Sequence, residues 1–134
     1  MSRLQLALNV SNLDEAISFY SRTFATPPAK IRDGYANFEV ADPPLKLVLF
    51  EKADAGGTLN HLGVEVSSTA EVTDFASRAA DAGLEPTEVA NTTCCFAEQD
   101  KTYVTDPDDL AWEVYVVLAD AQPSAPSDQV CCAD

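Results

Sequence analysis

The 134-residue chain is long enough for one domain with a buried core, and its 46% hydrophobic, 22% charged composition is that of a globular protein. A formal net charge of −14 repels nucleic acid and anionic membrane, so neither is an expected partner. No apolar run approaches the roughly 18–20 residues that span a bilayer, and Met1–Gln5 shows no basic start or apolar stretch of a signal peptide, so the cytoplasm is the expected location.

In chain order, Leu4–Ser11 alternates apolar and polar side chains and reads as a half-buried strand. Ser11 or Asn12 then caps a helix with Asp14 and Glu15 in its first turn, where the helix dipole favours acids. Leu13, Ile17 and Tyr20 form its apolar stripe, extended by Ala16 and Phe24. Three strand-like runs follow, near Lys30–Asp33, Tyr35–Val40 and Leu45–Phe50, punctuated by Gly34 and Asp42-Pro43-Pro44.

The order then repeats. Asn60–Ser67 can be laid over Leu4–Ser11, and Ser68 or Thr69 caps a second helix with Val72, Phe75, Ala76 and Ala79 on one face. Gly83 ends it, as a glycine past the last turn should. Strand-like runs come near Glu85–Ala90, Thr102–Thr105 and Ala111–Leu118, the last two joined by the turn Asp106-Pro107-Asp108-Asp109. The expected fold is therefore α+β: two paired βαβββ modules, about residues 3–52 and 59–118, forming one domain over 1–118 whose mixed sheet curves into a cup. Beyond Ala119 the chain turns to Ala, Gln, Pro, Ser and Asp without apolar periodicity, so 119–134 is expected to be a flexible, cysteine-containing tail.

All four cysteines stand in doublets, Cys94-Cys95 and Cys131-Cys132. Neighbouring cysteines are poorly placed for a disulfide framework, and in a reducing compartment clustered thiols point to soft-metal binding or redox chemistry. Successive side chains of a strand face opposite ways. Two adjacent thiols that share one ion must therefore sit in a loop or bulge, which assigns 90–100 to a mobile segment.

The repeat puts Gln5 and His61, the single histidine, at equivalent positions. Glu113 is an acid amid apolar neighbours in Ala111–Val117 and shares a face with Ala111 and Tyr115. A buried carboxylate needs a partner, and a metal ion held by Gln5, His61 and Glu113 is one such partner. Three protein ligands leave open positions, the arrangement of a catalytic metal site. On the residues alone, structural roles for all three stay equally open.

The paired modules with Gln5, His61 and Glu113 resemble the vicinal oxygen chelate superfamily, which includes glyoxalases, extradiol dioxygenases and antibiotic-resistance proteins. The resemblance covers roughly residues 3–118. Within it, Thr92–Ala97, Asp100–Asp108 and Ala111-Trp112-Glu113 are similar to the ferrous-dependent carbon–arsenic lyases and their cadmium-induced relatives. The chain departs from that pattern at Asp109, where such turns commonly have glycine, and Gln5 replaces one histidine of the usual iron triad of two His and one carboxylate.

That resemblance implies Fe(II) on Gln5, His61 and Glu113, with Mn(II), Ni(II) or Zn(II) also compatible with these donors, and dioxygen as co-substrate. It implies that Cys94 and Cys95 bind a trivalent organoarsenical, cleaved to arsenite. Phe96, Lys101 and Tyr103 are candidate pocket residues, and Cys131 and Cys132 a candidate accessory arsenic trap. A rival expectation is a protein that sequesters cadmium or arsenite without chemistry. The expected assembly is a monomer or homodimer acting on a small molecule.

Overall fold

The computed structural model describes residues 2–94 and 96–120. Cys95, Cys131 and Cys132 therefore lie outside the described residues, as does most of the expected tail. The described residues form two compact units, one of Arg3–Leu62 and the other of Ser2 together with those between Gly63 and Asp120.

The first unit contains β1 (Arg3–Val10), α1 (Leu13–Thr23), β2 (Lys30–Arg32), β3 (Tyr35–Val40) and β4 (Leu45–Glu51). The strands lie in the order β2-β3-β4-β1. Neighbours from β2 to β4 are antiparallel, whereas β4 and β1 run parallel, so the sheet is mixed.

The expected caps form as read. Asn12 takes an extended backbone and its Oδ1 accepts the Glu15 amide at 3.0 Å, satisfying one of the helix's orphan donors. Glu51 Oε2 accepts the Leu13 amide at 2.8 Å, which anchors the start of α1 to the end of β4. Leu13 is buried with Ala36, Phe38, Val40, Leu45, Leu47 and Leu49, and Ala16, Ile17, Tyr20 and Phe24 pack against them. Period-two alternation sends Leu6, Leu8 and Val10 to that same side. The registers Gln5↔Lys46, Ala7↔Val48, Asn9↔Phe50 and Asn37↔Val48 place a second set on the opposite face. That face buries Gln5, Asn37 and Lys46.

The chain passes between units within β5 (Thr58–Glu65). The second unit then has α2 (Thr69–Asp81), β6 (Ala90–Cys94), β7 (Ala97–Thr105) and β8 (Ala111–Asp120), with the order β8-β7-β6. Ser68 caps α2. Its hydroxyl accepts the Glu71 amide at 3.3 Å, and Glu71 Oε2 accepts the Ser67 amide, one residue before the cap, at 2.8 Å, a close relative of the capping box. Ser68→Ala should lower stability by about 1 kcal/mol, read as a shift in denaturant midpoint at constant m-value. Gly83 follows the helix at φ +86°, and the Leu84 amide returns to the Ala79 carbonyl.

One expectation changes here. A strand was expected at Glu85–Ala90, but it begins at Ala90 and runs to Cys94. Pro86 has no amide proton to give a ladder. Instead Thr87 fastens this stretch to β7: its amide donates to the Tyr103 carbonyl at 3.0 Å, and its Oγ1 accepts the Tyr103 amide at 3.0 Å. Within the stretch 90–100, expected to be mobile around the two thiols, the described residues pair as a hairpin, with Ala90↔Lys101 through Cys94↔Ala97 in register. Phe96 sits in its turn at φ +66°. β8 also runs to Asp120, slightly past the expected boundary. Among the described residues no helix is long and apolar enough to cross a membrane.

Asp100 ties the elements of this unit together. It accepts from Thr69 Oγ1 at 2.7 Å and from Asn91 Nδ2 at 2.9 Å. The Thr69 bond, and then the Asn91 bond, hold its carboxyl below the usual carboxylate value. A depressed folded-state pKa contributes stability that is present above the unfolded value and lost as pH falls through the folded one. Thr69→Val should therefore move the acid-unfolding midpoint, followed by circular dichroism, to higher pH.

Candidate functional site

Glu113 is only 3% exposed, an extreme position for a carboxylate. It sits on β8 opposite Tyr103, while Lys101 on β7 lies opposite Tyr115. This register follows from the turn after β7, where Asp106 Oδ1 accepts the Asp108 and Leu110 amides at 2.8 and 2.9 Å. Asp109 takes φ +65° there. Asp tolerates that left-handed conformation better than most side chains, which explains how it can stand where glycine is common.

Lys101 Nζ bonds Glu113 Oε1 at 2.9 Å, with both side chains 4% exposed. Tyr103 donates its hydroxyl to the same oxygen at 3.3 Å. The ammonium also lies 5.9 Å from the Tyr103 ring centre and 5.7 Å from that of Tyr115, so it is held in an aromatic setting. The buried carboxylate therefore has a protein cation as partner, where the sequence alone suggested a metal. Lys101 and Tyr103, expected as pocket residues near the thiols, lie against Glu113. Cys94 is the last residue of β6.

In the first unit, Gln5 is 6% exposed on β1. Its Oε1 is buried and has no hydrogen-bond partner among the described residues. Such an orphaned acceptor carries a real energetic penalty unless a ligand completes it. His61, on β5, directs Nδ1 at Asn60 Oδ1 over 2.8 Å, and its ring lies 6.2 Å from that of Phe50.

Within the first unit, the partnerless Gln5 amide oxygen and the His61 imidazole, oriented through its other nitrogen, are donors of a kind that a divalent cation accepts. Among the described residues, no three His, Cys, Asp or Glu side chains cluster as a ready metal cage.

The sequence reading missed three contributors. Asn60 and Asn9 orient the histidine by side-chain bonds across long stretches of chain, a contact that residue order does not announce. Gly63 abuts Glu113: a β-carbon there would strike the Glu113 carbonyl oxygen and lie 2.8 Å from its Cγ. A glycine inside a strand pattern, two residues after His61, was the available signal of a close backbone approach.

Residues 3–114 match the sequence model of the Glyoxalase/Bleomycin resistance protein/Dioxygenase superfamily. The chain belongs to that superfamily. It is 59% identical to the cadmium-induced protein CadI of Mycobacterium tuberculosis (strain ATCC 25618 / H37Rv), covering 91% of this chain and 80% of the relative. It is 53% identical to the trivalent organoarsenical cleaving enzyme of Thermomonospora curvata, covering 98% and 88% respectively. A crystal structure of a superfamily member from Vibrio splendidus 12B01 has the same fold, with a TM-score of 0.54 over 88% of this chain and all of that one (100%), at 12% identity. The superfamily fold expected from the sequence is therefore correct.

Proposed function

We propose that this protein is a non-haem Fe(II)-dependent, dioxygen-using carbon–arsenic lyase that cleaves trivalent organoarsenicals, such as methylarsenite or aromatic arsenicals, to arsenite. The observation that carries the substrate class is the 53% identity, over nearly the whole chain, to a relative named for cleaving trivalent organoarsenicals. The metal is supported by the buried, partnerless Oε1 of Gln5.

Gln5, His61 and Glu113 would hold the ion through two neutral donors and one anionic donor, leaving positions for exogenous ligands. Bound there, Fe(II) would supply the activation of dioxygen beside the carbon–arsenic bond. The protein's own part begins at Cys94 and Cys95. Their thiols displace the two hydroxyl groups from trivalent arsenic, each thiol proton leaving with a hydroxyl as water, and two As–S bonds form. That fixes the carbon–arsenic bond in one place and turns an encounter into a positioned reaction. Lys101 must release or share Glu113 when a second cation arrives, because one carboxylate oxygen now serves both the ammonium and the Tyr103 hydroxyl. Phe96 and Tyr103 are proposed pocket residues for the organic substituent, and Cys131 and Cys132 a proposed accessory capture pair. For methylarsenite the overall atoms balance with one dioxygen, giving formaldehyde and arsenous acid without an external reductant.

A second reading is favoured by the 59% identity to a protein named for cadmium induction. In it, the thiols sequester cadmium or arsenite and no bond is broken. One assay separates the two. Protein loaded anaerobically with Fe(II) is mixed with methylarsenite, dioxygen is admitted, and arsenite is measured. Arsenite release that requires both Fe(II) and dioxygen, and is lost in Cys95→Ser, supports the lyase. Stoichiometric binding of arsenical or cadmium with no arsenite formed supports sequestration and sinks the lyase.

A further inference from the structure

His61 is joined to a backbone carbonyl by an unbroken line of side chains within the first unit. Thr58 Oγ1 donates to the Ala55 carbonyl at 2.6 Å. A hydroxyl has one proton, so toward Asn9, 2.9 Å away, this oxygen can only accept. The Asn9 group facing it is therefore the amide nitrogen, which turns Asn9 Oδ1 the other way. That oxygen accepts Asn60 Nδ2 at 2.9 Å, and Asn60 Oδ1 is thereby presented to His61 Nδ1 at 2.8 Å. Each link permits one orientation of the next. A carbonyl oxygen cannot donate, so the ring must carry its proton on Nδ1, and in the neutral imidazole the lone pair is on Nε2.

We infer that Thr58, Asn9 and Asn60 form a polarity relay that fixes the tautomer and rotation of His61, making them positioning residues for a divalent cation on Nε2. The cation half of this inference rests on the metal reading above. The tautomer half stands on the hydrogen bonds alone. A metal-binding histidine commonly gives its other N–H to a carboxylate, carbonyl or water, and loss of that partner typically weakens metal affinity 10–100-fold. Here the partner is an amide oxygen, and its direction is set three residues away at a main-chain carbonyl. Asn60 is 8% exposed and Thr58 lies at the surface, so the relay runs from solvent to a buried amide.

The chain has a single histidine, so its imidazole nitrogens can be observed without ambiguity. Metal-free, nitrogen-15-labelled protein is studied by long-range proton–nitrogen correlation at a pH where the ring is neutral, and Ni(II) affinity is measured by calorimetry on the same samples. Wild type should show the Nδ1–H form. Asn60→Leu should convert it largely to Nε2–H and weaken Ni(II) binding 10–100-fold. Asn60→Asp, which keeps an acceptor at Nδ1, should hold the wild-type tautomer. Thr58→Val, at the exposed end, should lower the Nδ1–H population without touching the histidine, and Thr58→Ser should restore it. An Nε2–H ring in wild type, or an unchanged ring in both Asn60→Leu and Thr58→Val, overturns the relay. A relay that switches the tautomer while wild type binds no Ni(II), or while Ni(II) affinity stays constant, overturns the positioning role and counts against His61 as a ligand, with the hydrogen-bond line itself intact.

Discussion

Lys101→Met should cost the metal-free protein about 3–5 kcal/mol of unfolding free energy, because it leaves Glu113 as a buried carboxylate without its cation. Against a typical total of about 5–15 kcal/mol, that is a large fraction. The methionine keeps most of the lysine stem between the Tyr103 and Tyr115 rings, so the loss reports charge more than packing. A double variant, Lys101→Met with Glu113→Leu, separates the two effects. Replacing both members of a buried pair by apolar groups is often neutral or stabilising, so the double variant should recover most of the deficit. A divalent ion on Glu113 would compensate the same charge. Ni(II) should then raise the melting temperature of Lys101→Met more than that of wild type. If Lys101→Met is as stable as wild type without metal, Glu113 has another neutralising partner and the ion pair is not what keeps it buried. If Ni(II) stabilises both proteins equally, Lys101 and the ion do not share the carboxylate.

This ion pair also shows how far the site could be read from residue order. Helix starts were legible because their signals are local: Asn12 with acids behind it, and Ser68 just ahead of the apolar stripe that begins at Val72. The Asp106–Leu110 turn was legible too, and closing a hairpin there already sets Tyr103 opposite Glu113 and Lys101 opposite Tyr115. Lys101, however, lies one residue before the expected strand Thr102–Thr105, and its place beside Glu113 follows from β7 starting as early as Ala97. β6 was harder. Ala90-Asn91-Thr92-Thr93-Cys94 has no apolar alternation, and it stands at the end of its strand order, where pairing to β7 alone suffices. Its neighbour Glu85–Ala90 has the more strand-like pattern but carries Pro86, and Thr87 meets β7 partly through its hydroxyl. The relay to His61 was out of reach, since its bonds cross 49 and 51 residues of chain and depend on amide orientation.

Gly63→Ala is expected to be the most damaging small substitution at the site, for a reason of space. The added carbon would meet the Glu113 carbonyl oxygen and approach its Cγ to 2.8 Å. Rotation of the Glu113 side chain relieves only the second clash. The first is against backbone, so β5 and β8 must move apart locally, and overpacking of this kind costs typically about 1–3 kcal/mol and occasionally more. Gly83→Ala supplies the contrast. Gly83 has φ +86° and open space around its missing β-carbon, so its substitution tests backbone conformation alone and should cost about 1 kcal/mol. Denaturant unfolding of both variants should therefore rank Gly63→Ala as the less stable. Because Glu113 itself must shift, Gly63→Ala should also weaken Ni(II) binding, whereas Gly83→Ala, past the end of α2, should leave it unchanged. Equal stability of Gly63→Ala and wild type would mean that the strands do not approach as closely as described. A destabilised Gly63→Ala that binds Ni(II) with wild-type affinity would instead remove Glu113 from the ligand set, since its backbone could not be displaced without moving the carboxylate it carries.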